Sequence, residues 1–221
     1  MRRARPVGVY RASAPGRPGA DLKHQVPRRR WALRGVSTMT GPPRLIVFAG
    51  LPGAGKSTLA RLVAERLDAV WLRVDTLEAA ILKAGIPRSF ETGLAAYLGA
   101  RDVAADHLEL GRDVVIDAVN GVEPARRMWR DLAKEFRAKR CVIEVTCSDP
   151  EEHRKRVESR AAPTPPLPLP AWEDVVHCEY QPWTEPVLSV DGMSPPKENL
   201  RRILAYCSRS GGAPTTSRSV S

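Results

Sequence analysis

No stretch of this 221-residue chain approaches the roughly 18 consecutive apolar residues that a membrane-spanning helix requires; the longest strong run, residues 45–51, is strand-sized. A soluble protein without a membrane partner is the expectation. Cysteine is sparse, with only Cys141, Cys147, Cys178 and Cys207, no C-x-x-C pair and no histidine at metal-ligand spacing. That argues against a disulfide scaffold or a zinc site and fits a reducing cytoplasm. Acidic residues are almost missing from residues 1–38, where Asp21 stands alone against ten basic side chains. This segment therefore carries +9 of the formal net charge of +10, and residues 39–221 hold 25 basic against 24 acidic side chains. The basic balance that would point to a nucleic-acid or membrane-surface partner thus belongs to the leader and not to the body. The leader also lacks the apolar core of a secretory signal and the Ser-rich amphipathic pattern of a transit peptide. Rich in Arg, Pro and Gly, it is expected to be disordered and outside the fold. The alternative is a basic arm that touches nucleic acid or anionic lipid. Residues 208–221, a Ser, Gly and Thr tail, are likewise expected to pack against nothing.

What remains, residues 39–207, reads as one domain. With 43% apolar and 27% charged residues, the chain has the composition of a protein that can bury a core. Strand-like segments centred near residues 45, 70, 114, 142 and 187 alternate with helical ones. That order predicts an α/β fold with a five-stranded parallel sheet and helices on both faces. Residues 89–110 add an extra helix between the second and third strands, where an acceptor pocket has room to form.

The most informative segment follows the first strand. Residues 50–57 read G-L-P-G-A-G-K-S, and residues 59–67 continue with apolar positions at helical spacing. A strand, a G-x-x-x-x-G-K-[ST] loop and a helix make a phosphate cradle. Gly50, Gly53 and Gly55, with Ala54 between them, let successive N–H groups turn toward one anion. The helix dipole points the same way. Lys56 is placed for the β- and γ-phosphates, the Ser57 hydroxyl for Mg²⁺, and Thr58 for the α-phosphate. ATP and Mg²⁺ are the cofactors this pattern predicts.

Two later strands run into acids. Residues 69–75 end at Asp75 and residues 111–120 carry Asp117 at the strand exit, and the carboxyl ends of parallel strands line the ligand crevice. Asp117 is assigned to Mg²⁺ through water, Asp75 to the acceptor as general base, and Asn120 to the substrate or to Asp117. Helix N-caps are the alternative for both acids, and an ordinary turn is the alternative for Asn120. Further on, Asp149 and Glu152 form a capping-box pattern ahead of a helix that sets Arg156 and Arg160 four apart on one face. Five prolines between 163 and 170 follow, then a segment expected to be helical until Pro182. Residues 156–183 are read as a lid whose arginines close on the transferring phosphoryl group, against the alternative of a solvated helix face and a proline-rich linker.

Taken together, GLPGAGKST, VDTLEAAI, VVIDAVN, CSDPEEHRKRVESR and SVDGMSPPKENLRRIL resemble the AAA-domain ATPases that are P-loop kinases, a group similar to zeta toxins, chloramphenicol phosphotransferase and the kinase domain of polynucleotide kinase. The resemblance spans about residues 43–207 and implies a three-layer P-loop fold and ATP-dependent phosphotransfer. It implies that Lys56 and Ser57 serve the phosphates and Mg²⁺ and that Asp75 faces the acceptor. It also implies lid arginines at 156 and 160, and Asp191 with its turn near the adenine. The polynucleotide-kinase-like members carry arginine three residues after the Asp75 position, where this chain has Glu78. A small-molecule hydroxyl acceptor is therefore expected ahead of a nucleic-acid 5′-hydroxyl, with an ATP-driven regulatory module as a third reading. A chain truncated to begin at Met39 is expected to fold and to bind ATP as the full chain does, measured by thermal unfolding and nucleotide titration.

Overall fold

A computed structural model of the chain describes residues 41–159 and 170–208. The basic leader, all but the first residue of the expected tail, and Arg160 with the middle of the expected lid lie outside the described residues.

The aliphatic run after Arg44 forms β1 (Arg44–Ala49), whose five apolar side chains are all buried, as in a central parallel strand. The other strands are β2 (Val70–Arg73), β3 (Val114–Asp117), β4 (Lys139–Thr146) and β5 (Leu188–Asp191). They form one sheet in the order β2-β3-β1-β4-β5, every neighbouring pair parallel. Alternate side chains leave opposite faces of the pleat. Leu45 and Val47 pack with Val114, Ile116, Trp129 and Leu132, beneath α3 (Phe90–Glu109) and α4 (Glu123–Glu135). Ile46 and Phe48 pack with Leu59, Val63, Ile143 and Ile203, beneath α1 (Lys56–Leu67) and α7 (Pro196–Ser208). The result is the expected α/β three-layer sandwich. The chain runs from β1 toward the β2 edge and then crosses back to β4, so the strand order switches beside β1 and opens a crevice at the carboxyl ends.

Two local expectations are corrected. The second strand stops at Arg73, and Val74 begins α2 (Val74–Lys83), so Asp75 lies in a first helical turn and not on a strand end. Its neighbour Arg73 pairs across the sheet with Asp117, which holds the strand end in place. The second correction concerns the segment before Pro182. Among the described residues between α5 (Pro150–Glu158) and Pro182, helix covers only the five-residue α6 (Trp172–Val176). Beyond it the backbone is captured by a buried guanidinium. Arg126 donates from Nη1 to Pro182 O at 2.9 Å, from Nη2 to Gln181 O at 2.5 Å and Gly121 O at 3.0 Å, and from Nε to Asn120 O at 3.0 Å. Its plane lies 3.8 Å from the Trp183 ring centroid. The Gln181 N–H, which a continuing helix would give to a carbonyl four residues earlier, donates instead to Gly121 O at 2.8 Å.

Asn120 is also reassigned. It is 0% exposed, adopts a left-handed φ of 48°, donates from Nδ2 to Phe48 O at 2.7 Å and accepts at Oδ1 from Trp129 Nε1 at 2.8 Å. Its amide is used up inside the protein, and the substrate role expected for it is replaced by a structural one. Asn120→Ala strands two buried polar groups at roughly 1–3 kcal/mol each, so an overall loss of about 2–6 kcal/mol is expected in chemical denaturation.

Candidate functional site

The crevice beyond the sheet is a cleft of about 780 Å³. Its floor is the loop that leaves β1. Gly50 has φ 133°, and a Cβ there would stand 2.1 Å from Val145 O, so the close approach of loop to β4 requires glycine. The Gly50 N–H donates to Val119 O at 3.1 Å and so ties the loop to the β3 exit. Gly53 and Gly55 also have positive φ, 83° and 101°, and Gly55 is the residue preceding α1. Ala54 is buried beneath the loop, while Lys56, Ser57 and Thr58 line the cleft. Lys56 Nζ donates to Leu51 O at 2.8 Å, curled over the loop that it closes. The loop is braced from outside by His153, whose Nε2 donates to Pro52 O at 2.7 Å and whose ring meets Trp172 edge-on at 5.2 Å.

Asp117 faces Phe48 across β1/β3 and Arg73 across β2/β3, and its side chain is 4% exposed. Its carboxyl accepts a hydrogen bond from Ser57. Arg73 Nε lies 3.5 Å from Oδ2, too far for a well-made bond, and both atoms are buried with no hydrogen-bond partner among the described residues. Burial pushes the Asp117 carboxyl above its usual range, and the Ser57 bond, with the charges of Lys56 and Arg73, draws it partly back. An anionic oxygen with unused lone pairs beside a serine hydroxyl is the hard donor set that fits Mg²⁺.

On the opposite side of the loop, Asp191 organises a turn and does not itself line the cleft. Its carboxylate accepts from Ser148 Oγ at 2.5 Å, Ser148 N at 3.2 Å and Met193 N at 3.0 Å, bonds that hold it below the usual aspartate range. The turn presents Gly192 and Ser194 to the cleft. A Cβ on Gly192 would stand 2.0 Å from Ala54 O, so this turn and the phosphate loop fit only without a side chain. Arg156 lies here, donating from Nη1 to Gly192 O at 3.2 Å and from Nε to Glu152 Oε1 at 3.0 Å.

Across the cleft, α2 and α3 supply Asp75, Glu78 and Tyr97. Asp75 is half-buried in the first turn of α2, with no hydrogen-bond or ion-pair partner among the described residues. Glu78 pairs with Arg88 at 3.6 Å. The Tyr97 hydroxyl accepts from Asn120 N at 3.3 Å, and burial, with the nearby Asp75 carboxylate, pushes its pKa up to about 12. Sequence reading singled out Asp75, Asp117, Lys56, Ser57 and Arg156, and all of them line one cleft. It missed the pairing of Arg73 with Asp117 and the brace from His153. Strand register alone carries the first, because Arg73 and Asp117 are the last residues of adjacent strands. If Asp117 serves Mg²⁺ as the sequence leads one to expect, Mg²⁺-dependent ATP affinity should fall on acidification while the pH is still above the ordinary aspartate value of 3.8. Nucleotide titrations at stepped pH check this.

The family model for the AAA domain matches residues 45–176. A UPF0200 protein of Aeropyrum pernix is 39% identical over 107 residues, 42% of this chain and 57% of that protein. The shikimate kinase of Clostridium beijerinckii is 32% identical over 90 residues, 41% of this chain and 53% of that protein. The match thus spans a little over half the length of either relative. The Mycobacterium tuberculosis APS kinase CysC, solved with AMPPNP and APS, superposes with a TM-score of 0.58 at 18% identity, covering 76% of this chain and 99% of that one. That likeness is one of fold. With the family match running from β1 into α6, and with the phosphate loop set at the switch point of a five-stranded parallel sheet, the chain belongs to the AAA-domain family and has its P-loop kinase-like, nucleotide-binding fold.

Proposed function

We propose that this protein transfers the γ-phosphate of ATP to a hydroxyl of a small molecule. The observation that carries this reading is the half-buried Asp75 carboxylate, lining the same cleft as the phosphate loop and bonded to no protein donor among the described residues. An anion left in that condition takes its donor from what enters the cleft. The names of the shikimate kinase relative and the APS kinase neighbour agree with a phosphoryl-transfer role.

In this reading the loop N–H groups of residues 53–57 and the α1 dipole hold the β-phosphate, and Lys56 swings from Leu51 O to the β- and γ-oxygens. Ser57 and, through water, Asp117 would hold Mg²⁺, which would supply charge neutralisation on those oxygens. Asp75 receives the proton of the acceptor hydroxyl as its oxygen bonds to the γ-phosphorus and the bond to the β-phosphate oxygen breaks, releasing ADP. The Asp191 turn lies by the base of the nucleotide, and Arg156 is a lid arginine for the transferring phosphoryl group. We assign Arg160 and residues 156–183 to a lid of the domain 39–207, in a cytoplasmic enzyme. A nucleic-acid 5′-hydroxyl kinase is less well supported, because carboxylates outnumber cations on the acceptor side.

Lys56→Ala is expected to abolish ADP formation while leaving the thermal unfolding midpoint in place, since the ammonium points into the cleft. The two carboxylates separate cleanly. Asp75→Asn should keep Mg²⁺·ATP affinity and lower acceptor phosphorylation roughly 100-fold or more, the range for losing a positioned base. Asp117→Asn should shift the Mg²⁺ dependence of ATP binding instead. Titrating Mg²⁺ against ATP for both variants tests the assignment, and exchanged phenotypes would mean exchanged roles.

A further inference from the structure

The acceptor half of the cleft has a charge that its own residues define. Among the described lining residues that α2, α3 and the turn between them supply, it carries Asp75 and Glu78 against one cation, Arg88. Arg88 Nε stands 3.6 Å from Glu78 Oε1, so its charge is already matched. Lys56 and Arg156 belong to the phosphate loop and to the Asp191 turn. No cation of the described acceptor half is left to receive a carboxylate or phosphate on the acceptor.

A further observation bears on this space. The Tyr97 hydroxyl accepts from Asn120 N and donates to no group among the described residues, so its proton is available to the cleft. Asp75 adds an acceptor with no donor. The wall thus offers one O–H donor and carboxylate acceptors, a set that matches hydroxyl and ammonium groups and repels anions.

Building on the kinase reading, we propose that the acceptor is an uncharged or amine-bearing polyhydroxyl compound, with Glu78 and its partner Arg88 setting the selectivity against anionic acceptors. Glu78 discriminates by charge at the cleft wall. Asp75 and Tyr97 grip the hydroxyl groups.

Glucosamine, glucose and gluconate share one carbon skeleton and differ in charge, which makes them the probes. AMPPNP with Mg²⁺ is first titrated calorimetrically into the full chain; failure to bind would overturn the kinase reading and this inference with it. Saturation-transfer NMR then compares the three sugars at equal concentration on the AMPPNP-loaded protein. The expected order is glucosamine, then glucose, with gluconate weakest. Glu78→Gln, which leaves Arg88 unmatched, should raise gluconate relative to glucosamine by roughly two- to fivefold, the range that one exposed ion pair supports. Arg88→Ala, at a side chain 58% exposed and therefore safe for folding, should move the ratio the opposite way. Equal saturation by all three sugars, a preference for gluconate, or ratios that neither variant moves would overturn the proposal while leaving AMPPNP binding, and with it the nucleotide site, intact.

Discussion

β1 is hydrogen-bonded to β3 on one edge and to β4 on the other, and residues 45–49 are at most 1% exposed. The chain therefore leaves the sheet at Gly50 from a fixed point in a fixed direction. Everything that handles phosphate is referred to that point. Gly50 must pass Val145 O at a distance no side chain allows, and Gly192 must pass Ala54 O in the same way, so the loop is wedged between the ends of β4 and β5. Close packing against backbone leaves nothing to give, which suits a site that must not reorganise when charge develops.

That rigid frame carries an electrostatic cost. Asp117 Oδ2 and Arg73 Nε are both buried, yet they meet at a distance that makes no good hydrogen bond. A fully made pair would be the more comfortable arrangement for folding. Left as it is, Asp117 keeps an oxygen at the floor of the cleft with no donor among the described residues, and the stability forgone is what the proposed cation site would require. Functional sites commonly store such costs, and the surrounding sheet register over-determines the geometry.

The segment that precedes β5 is held by a different interaction. Arg126 gathers the carbonyls of residues 120, 121, 181 and 182 and stacks on Trp183. It joins the exit of β3 to the segment that re-enters the core before β5. Asn120, immediately beside it, couples that knot to β1 through Phe48 O and to α4 through Trp129. The carboxyl-terminal attachment of the expected lid is thus part of the frame, while its amino-terminal attachment runs through α5, which His153 joins to the phosphate loop. Both attachments report to the same few residues around β1.

Much of this was legible in the residues alone. The phosphate loop, the five strands and their alternation with helices depend on local chemistry, because glycine spacing, β-branched runs and helical periodicity are properties of short segments. Lys56, Ser57 and Asp117 follow from the same local logic. What the tertiary structure decided are contacts between segments far apart in the chain. That Arg73 ends β2 against Asp117, that Asn120 turns inward to Phe48 and Trp129, and that residues 178–182 leave helix for the grip of Arg126 all depend on strand register and on which buried polar groups find partners. Hydrogen-bond satisfaction in the core is a condition on the whole fold, and no window of sequence contains it.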